Sequence, residues 1–251
     1  MKHQYFGDVN DYLKYGLLRG LSADSRLRIG VCWMLTEGDR RSDGQKVAYL
    51  SKPDNWHHHD PELFTFLHEA VHRKKRRNVK LIQSSGLIPG ARFYSELLAD
   101  RIPDREDYFA RMLMSFADRD LIFFDPDNGI EVQSVPLGRR NSSKYLYMHE
   151  IQTAYANGKS VLIFQHFARE QRDRSISRRV AQIREVTGSN TVLCFRTSSV
   201  AYFLAAQRTH ANLCRAQGRE IARKWADKIM FVSKQRQPCS PNLLDSDSTA
   251  R

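Results

Sequence analysis

The sequence predicts an α/β fold in which helices cover both faces of a mostly parallel, twisted β-sheet. Apolar runs of strand length alternate along the chain with longer segments whose apolar residues recur at helical spacing. Two of these runs, at residues 121–124 and 160–167, are strongly apolar, which is typical of strands buried on both faces of a parallel sheet. The chain of 251 residues can bury a substantial core, and we expect a single domain over residues 1–235.

The elements of the amino-terminal half follow from apolar spacing and from residues that favour helix starts. Leucines three and four residues apart predict a helix over 11–21, and the apolar run after it predicts a buried strand over 28–35. A loop or helical insertion is expected around 36–78. Within it, Asp60 can cap a helix whose first turn tolerates Pro61, and this helix is predicted to reach about residue 76. Two short strands complete this half, at 47–50 and 79–83.

Helices and strands alternate regularly in the carboxyl-terminal half. Apolar residues at helical spacing predict four helices, the third of them strongly basic: 106–117, 144–156, 174–186 and 201–223. Apolar runs between and after them predict four strands: 121–124, 160–167, 191–195 and 228–232. Residues 236–251 are polar and aperiodic, so we expect them to form a disordered tail.

The charge balance indicates a polyanionic partner. Forty Lys and Arg against 28 Asp and Glu give a formal net charge of +12. Such an excess attracts phosphate backbones, where neutralisation releases counterions, and here the charge is concentrated in short clusters. We therefore predict nucleic acid as a partner. The candidate contact residues are Arg76, Arg77, Arg139, Arg140, Lys144 and Arg169.

Other features of the composition limit the compartment and the metal chemistry. No apolar run approaches the ~18 residues of a membrane span, and the first residues lack the apolar segment of a secretory signal. We expect no membrane partner and a cytoplasmic location. The cysteines are widely spaced and form no C-x-x-C pair, which favours reduced thiols over a zinc site. They are Cys32, Cys194, Cys214 and Cys239.

An acidic motif follows one of the apolar runs. Residues 120–131 read D-L-I-F-F-D-P-D-N-G-I-E, so Asp125, Asp127 and Glu131 come directly after a predicted strand. Asp, Pro, Asn and Gly are residues that turns select for their backbone geometry. Because open α/β sheets bind ligands at the carboxyl ends of their strands, this turn is also the candidate catalytic loop.

Two segments resemble a known family. G-D-V-N-D-Y-L-K-Y, at residues 7–15, is similar to the amino-terminal segment of the adenine-N6 methyltransferases of large-subunit ribosomal RNA. F-F-D-P-D-N, at residues 123–128, stands where that family has its Asp-Pro-Pro-Tyr catalytic motif. With the order of strands and helices, the resemblance covers residues 5–235. It implies the Rossmann-like fold of class I S-adenosylmethionine-dependent methyltransferases, with an antiparallel last strand.

The resemblance implies methyl transfer from S-adenosylmethionine to nucleic acid, with adenine N6 as the acceptor. Asp125 would accept a hydrogen bond from the exocyclic amine, which is a poor nucleophile because its lone pair is delocalised into the ring. Pro126 would shape the loop, and the backbone around Asp127 would supply a carbonyl acceptor. Asn128 stands in place of the family's aromatic residue, which stacks on a base taken out of its helix.

The same resemblance implies where the methyl donor would bind. Lys14, in the first segment, would meet the carboxylate of S-adenosylmethionine. The predicted first strand is followed by an acidic turn that contains one glycine, where the family has an acidic residue and a glycine-rich loop. The candidates for the ribose contact and for close backbone approach are Glu37, Gly38 and Asp39.

Two alternative functions remain open. Asp125, Asp127, Glu131 and His166 would ligate Mg²⁺ or Mn²⁺ if the strands that end near residues 124 and 166 are neighbours, and such a metal can activate water against a phosphodiester. Against a nuclease, the Glu-x-Lys pairing of such enzymes is missing at the expected place, because Glu131 is followed by Val132 and Gln133. The second alternative is a catalytically silent nucleic-acid-binding protein of the same fold.

Overall fold

The computed structural model of the protein describes residues 1–38, 44–167 and 170–232. The α-helices in these residues are α1 (Val9–Ser22), α2 (Pro53–Trp56), α3 (Pro61–His68), α4 (Lys80–Ser84), α5 (Ile102–Ser115), α6 (Met148–Ala156), α7 (Arg172–Thr187) and α8 (Ala211–Lys224). The strands are β1 (Ile29–Cys32), β2 (Arg92–Tyr94), β3 (Leu121–Phe124), β4 (Gly129–Ile130), β5 (Tyr145–Leu146), β6 (Ser160–His166), β7 (Val192–Arg196), β8 (Val200–Ala205) and β9 (Met230–Val232). The predicted tail at 236–251 lies outside the described residues.

The main sheet is mixed and mostly parallel. Over the described residues it contains seven strands in the order β2-β1-β3-β6-β8-β7-β9, and β4 pairs separately with β5. The first four strands of that order are parallel neighbours, whereas β8 runs antiparallel between β6 and β7. The last strand, β9, is antiparallel to β7 at the edge. The predicted α/β fold with a mostly parallel sheet and an antiparallel last strand is confirmed.

The strand order reverses between β1 and β3. The chain places β2 on one side of β1 and then returns to place β3 on the other side. Cys32 at the end of β1 is in register with Phe124 at the end of β3, which is in register with Ile163 of β6. The carboxyl ends of these parallel strands therefore meet at one edge of the sheet, where the acidic motif leaves β3. A crevice at such a reversal is the usual ligand site of open α/β sheets.

Helices cover both faces of the sheet because successive strand residues point to opposite sides. Phe123 packs into a hydrophobic layer with α1, α3 and α8. Its neighbour Phe124 packs into a second layer with α5, α6 and α7. Both phenyl rings are fully buried, and the predicted placement of helices on both faces is confirmed.

The insertion between β1 and β2 is largely helical, and its main helix starts where the sequence predicts. Asp60 accepts a hydrogen bond from the backbone N–H of Leu63 at 3.2 Å, with Pro61 in the first turn. Asp60 also accepts from Nε of Arg19 at 2.8 Å, which ties α3 to α1. The α-helix α3 ends at His68, and a π-helical turn follows it at Glu69–Arg73. The α-helix is therefore shorter than the predicted helix, which reaches about residue 76.

Three predicted elements are wrong. Residues 79–83, predicted as a strand, lie mostly in helix α4, and residues 47–50 lie in a 3₁₀ turn rather than a strand. The predicted helix over 201–223 begins instead as strand β8, and only its second part is the helix α8. The segment V-A-Y-F-L-A of β8 is buried at every position. Such an apolar run lacks the alternation that distinguishes a strand from a buried helix.

Two further features concern the cysteines and the membrane. Cys32, Cys194 and Cys214 are buried free thiols, and Cys239 lies outside the described residues. Among the described helices, none combines the length and the apolarity that crossing a bilayer requires.

Candidate functional site

The two segments that carry the family resemblance line one cavity. This cavity, of about 280 Å³, lies at the carboxyl ends of β3 and β6, beside the reversal of strand order. Helix α1 and the residue before it contribute Asp8, Asn10, Asp11 and Lys14. The loop after β3 contributes all four predicted catalytic residues, Asp125, Pro126, Asp127 and Asn128. The acidic motif therefore faces a concave site, as the sequence predicts.

A buried ammonium joins the two segments. Nζ of Lys14 donates to Oδ2 of Asp125 at 2.7 Å and to Oδ1 of Asp11 at 2.8 Å. The three side chains are at most 3% exposed. A buried charge without a partner is costly, so each of these groups depends on the others. Lys14 and Asp125 are 111 residues apart in the chain, and their ion pair fixes α1 against the acidic loop.

The surroundings shift the pKa values of this cluster. Burial raises the pKa of the Asp125 carboxyl above its usual range, and the neighbouring Lys14 ammonium only partly opposes this effect. Burial alone would lower the pKa of Lys14, but the carboxylates of Asp11 and Asp125 outweigh it and raise that pKa. Lys14 therefore stays protonated near neutral pH and is committed to its two carboxylate partners.

The sequence of α1 explains how these side chains reach the cavity. Asp8 begins the helix by accepting from the backbone N–H of Asn10 at 3.0 Å. Residues three apart share one face of a helix, so Asp11 and Lys14 project together toward the loop. Asp11 is held from its other side by the hydroxyl of Tyr15 at 3.1 Å and by the backbone N–H of Gly7 at 3.2 Å.

Asp127 connects the acidic loop to the segment that follows β1 and to the first residue of the chain. Its Oδ1 lies 2.5 Å from the amino group of Met1, and its Oδ2 accepts from the hydroxyl of Thr36 at 2.9 Å. Burial would raise the pKa of Asp127, but the amino group and the hydroxyl outweigh it, and the pKa lies below its usual range. The same amino group donates to the carbonyl oxygens of Met34 and Asp125. Asp127 thus has a structural role that the sequence did not reveal.

The end of β6 supports the loop from the other side. Oε1 of Gln165 accepts from the backbone N–H of Ile130 at 2.8 Å. Gly129 has a φ of +110°, and a Cβ there would lie 2.5 Å from Nε2 of Gln165. Only glycine fits this position without displacing the supporting side chain. Strands β3 and β6 are neighbours, so His166 ends beside the acidic loop as predicted, and Gln165 lies there with it.

His166 lies at the rim of the cavity with an exposed side chain. Partial burial and the nearby Lys14 and Lys46 lower the pKa of its imidazole, although Asp125 and Asp127 act in the opposite direction. The ring is therefore neutral near pH 7 and can accept a hydrogen bond or a proton.

Only one of the described residues predicted to bind the methyl donor lines the cavity. Lys14 lines the cavity, but it is already shared between two carboxylates. Glu37 and Gly38 are exposed, and neither is among the described residues that line the cavity; Asp39 lies outside the described residues. Sequence reasoning missed Lys46, an exposed lysine in the cavity wall. Its only signal in the sequence was its position in the insertion after β1.

The predicted nucleic-acid contacts differ in their surroundings. Arg77 donates to the carbonyl oxygen of Phe6 at 2.8 Å and to Oε1 of Gln45 at 3.0 Å, so it holds the insertion against the amino-terminal segment. Lys144 is half-buried, and its carbonyl oxygen accepts from the backbone N–H of Asn128. The exposed candidates are Arg76, Arg139 and Arg140. Arg169 lies outside the described residues.

The four candidate metal ligands do not share one site. Glu131 lines a neighbouring cleft, and its Oε1 accepts from the backbone N–H of Met148 at 3.2 Å. Asp125, Asp127 and His166 line the cavity, where the ammonium of Lys14 and the amino group of Met1 hold the two carboxylates. In the part of the chain that the structure describes, no group of three or more His, Cys, Asp and Glu could hold a metal ion.

A scan against models of known protein families finds no match to this chain, and a search of the curated proteins finds no significant match. The cavity and its position in the fold therefore carry the functional inference.

Proposed function

We propose that the protein is an S-adenosylmethionine-dependent methyltransferase of the Rossmann-like type that acts on nucleic acid. One observation carries the proposal: the segments 7–15 and 123–128 converge on a single cavity beside the strand-order reversal. In open α/β sheets this is where ligands bind. The antiparallel strands near the carboxyl end and the net charge of +12 support the same assignment.

The chemistry of the cavity fits the methyl donor. S-adenosylmethionine presents an ammonium group, a carboxylate and ribose hydroxyls, and when bound it supplies an electrophilic methyl group. Carboxylates from α1 and from the acidic loop line the wall, and they accept hydrogen bonds from ammonium and hydroxyl groups. We assign the donor's carboxylate to Lys46, because its side chain is exposed. Lys14 instead positions Asp125 through the buried ion pair.

Asp125 is the residue assigned to the acceptor amine. Lys14 holds Oδ2 of Asp125 at 2.7 Å, so the carboxylate has a fixed orientation and its Oδ1 is assigned to the amine. Accepting that hydrogen bond returns electron density to a nitrogen whose lone pair is delocalised. A backbone carbonyl beside Asp127 would supply the second acceptor. The neutral imidazole of His166, at the rim, would take up the proton that the amine loses.

A radiolabelled methyl-transfer assay tests the proposal. The protein is incubated with S-adenosylmethionine labelled in its methyl group and with single-stranded and duplex RNA and DNA. We expect label in adenine-containing polymers and a loss of about 100-fold or more in rate for Asp125→Asn. The matched control is Asp118→Asn, which changes an exposed carboxylate paired with Arg92.

Each outcome of that assay bears on the proposal. A rate retained by Asp118→Asn and lost in Asp125→Asn supports it. Because Asp125 is buried, thermal unfolding of each variant shows whether lost activity reflects a lost fold, and His166→Gln adds a variant at the exposed rim. The absence of label in all four polymers contradicts the proposal.

A further inference from the structure

A larger cleft adjoins the cavity. Its volume is about 1070 Å³, and it shares Asn128 and His166 with the cavity, so the two spaces meet at the acidic loop. The walls of the cleft come from the small β4–β5 ribbon, the end of β6 and the basic helix α7. A ligand in this cleft would reach the catalytic loop from the side opposite α1.

One wall of the cleft contains a buried guanidinium. Arg179 is 5% exposed, and its Nη2 donates to the carbonyl oxygens of Ile130 at 3.2 Å and Glu131 at 3.1 Å. Within the described part of the chain it forms no ion pair with a carboxylate. Burial, together with the neighbouring Arg178, lowers the pKa of Arg179 to about 10. The carboxylates of Glu131 and Glu170 oppose this lowering only in part. A buried cation that forms no direct ion pair is a favourable partner for an anionic ligand.

Aromatic rings lie on the same cleft. Tyr145 and Phe167 are half-buried and both contribute to its lining. The guanidinium of Arg172 lies 5.4 Å from the centroid of the Phe167 ring, so the ring is already part of a cation–π pair. Aromatic side chains beside basic groups are the usual platform for unstacked bases. They offer here the stacking surface that Asn128 cannot supply in the loop itself.

We propose that this cleft binds one nucleotide of a single-stranded nucleic acid. The base lies against Phe167 and Tyr145, and its phosphate meets Arg178 and Arg179. Glu131, also in the lining, accepts from a base amino group. This inference rests on the proposed function, because the nucleotide in the cleft belongs to the acceptor strand and flanks the nucleotide whose amine reaches Asp125 past Asn128 and His166. A duplex offers no unstacked base, so a single strand is the favoured form.

Fluorescence anisotropy without methyl donor tests the cleft. Labelled single-stranded RNA and DNA of one sequence, and their duplexes, are titrated with protein over a series of salt concentrations. We expect single strands to bind more tightly than duplexes. Phe167→Leu, which keeps an apolar side chain, should weaken binding about 5- to 100-fold and leave the salt dependence unchanged. Arg178→Ala should reduce the slope of log K against log salt by about 0.7.

The matched control is Arg223→Ala. Arg178 is 43% exposed and pairs with Glu170, whereas Arg223 is 80% exposed and pairs with Glu220 in α8, on the opposite layer of the protein. Both changes remove one positive charge, so a general charge effect would lower both slopes equally. The inference is overturned if Arg178→Ala and Arg223→Ala reduce the salt slope equally. It is also overturned if Phe167→Leu binds as tightly as the wild type. Thermal unfolding confirms that each variant is folded.

The two proposals fail separately in these experiments. Binding is measured without the methyl donor, so a failed methyl-transfer assay leaves a positive cleft result standing as a nucleic-acid-binding site. Conversely, Phe167→Leu and Arg178→Ala could both retain methyl transfer and wild-type affinity for nucleic acid. That result places the acceptor strand outside the cleft. The RNA and DNA arms identify the preferred polymer, and tighter binding to duplexes than to single strands contradicts the assignment.

Discussion

The Lys14 ammonium is the single group on which the geometry of the cavity depends most. It is the shared ion-pair partner of two buried carboxyl groups from different parts of the chain, Asp11 and Asp125. Lys14→Met would keep the aliphatic bulk and leave both carboxylates without their cation. We expect a loss of about 3–5 kcal/mol in the free energy of unfolding, measured by urea denaturation at pH 7.

An exposed ion pair provides the comparison for Lys14. Arg223→Ala removes a surface arginine from its pair with Glu220, which should change the free energy of unfolding by about 0–1 kcal/mol. If Lys14→Met is no more destabilising than this control, the buried cluster does not hold α1 against the acidic loop.

His166 gives the site a dependence on pH. The pKa of its imidazole is lowered from the ordinary value of 6.5 in the folded protein, so the unfolded chain takes up a proton first as the pH falls. The neutral imidazole of His166 makes its full contribution to the free energy of unfolding above about pH 6.5. This contribution is lost as the pH falls through the lowered pKa. Below that pH, we expect the wild type to lose free energy of unfolding relative to His166→Gln.

Urea denaturation between pH 5 and 8 measures this effect, with His72→Gln as a control for the loss of an exposed imidazole. A difference between wild type and His166→Gln that stays constant over this range contradicts the assigned surroundings of His166.

Some site residues were predictable from the sequence and others were not. Asp125 to Asn128 follow an apolar run, and that local pattern was sufficient to locate the loop. Glu37 was chosen because it follows the first strand, but the chain there bridges Leu35 to Leu97 beside β2 and leaves Glu37 outside the cavity lining. Arg179 carried no local signal, because its burial depends on contacts with the loop 49 residues earlier.

At the scale of elements, glycines set the distance between α1 and α8. A Cβ at Gly20 would lie 2.4 Å from Cγ1 of Ile221, and one at Gly16 would lie 2.1 Å from the ring of Trp225. Alanine favours a helix over glycine by about 1 kcal/mol, so Gly20→Ala would be stabilising in an isolated helix. In this protein we expect it to be destabilising by about 1–3 kcal/mol, because the packed helices must separate.

A double-mutant cycle isolates that contact. Ile221→Ala removes the atoms that the new methyl group would meet, so the combined variant Gly20→Ala/Ile221→Ala should be less destabilised than the sum of the single changes. Thermal or urea unfolding measures all three. Strict additivity would show that the close approach of α1 and α8 does not depend on Gly20.

The sequence predicted strands correctly where a polar turn follows or precedes the apolar run. Residues 121–124 and 160–167 are bounded by polar turns, and both are strands within one residue of the prediction. β8 was missed because its six residues are uniformly buried and run without alternation toward the helix that follows. β2 has only three residues, R-F-Y, and pairs at the sheet edge, so it was too short to give a periodic signal.

At the scale of the whole molecule, the sheet places two concave spaces on either side of one loop. The cavity of about 280 Å³ lies toward α1, and the cleft of about 1070 Å³ lies toward α7. Length and the alternation of strands and helices were enough to predict the fold class, and the nucleic-acid partner indicated by the charge stays a prediction. The division of the site into two spaces was not predictable, because it depends on how β4 and β5 fold the acidic motif back over β6.

The central claim is that the cavity bounded by α1 and the acidic loop binds S-adenosylmethionine. Isothermal titration calorimetry of the methyl donor into the protein tests it most directly, without any acceptor. We predict a micromolar dissociation constant that weakens about tenfold or more in Lys46→Met and stays unchanged in Lys52→Met, an exposed lysine outside the cavity lining. No detectable binding at high protein concentration, or equal effects of the two lysine variants, would contradict the claim.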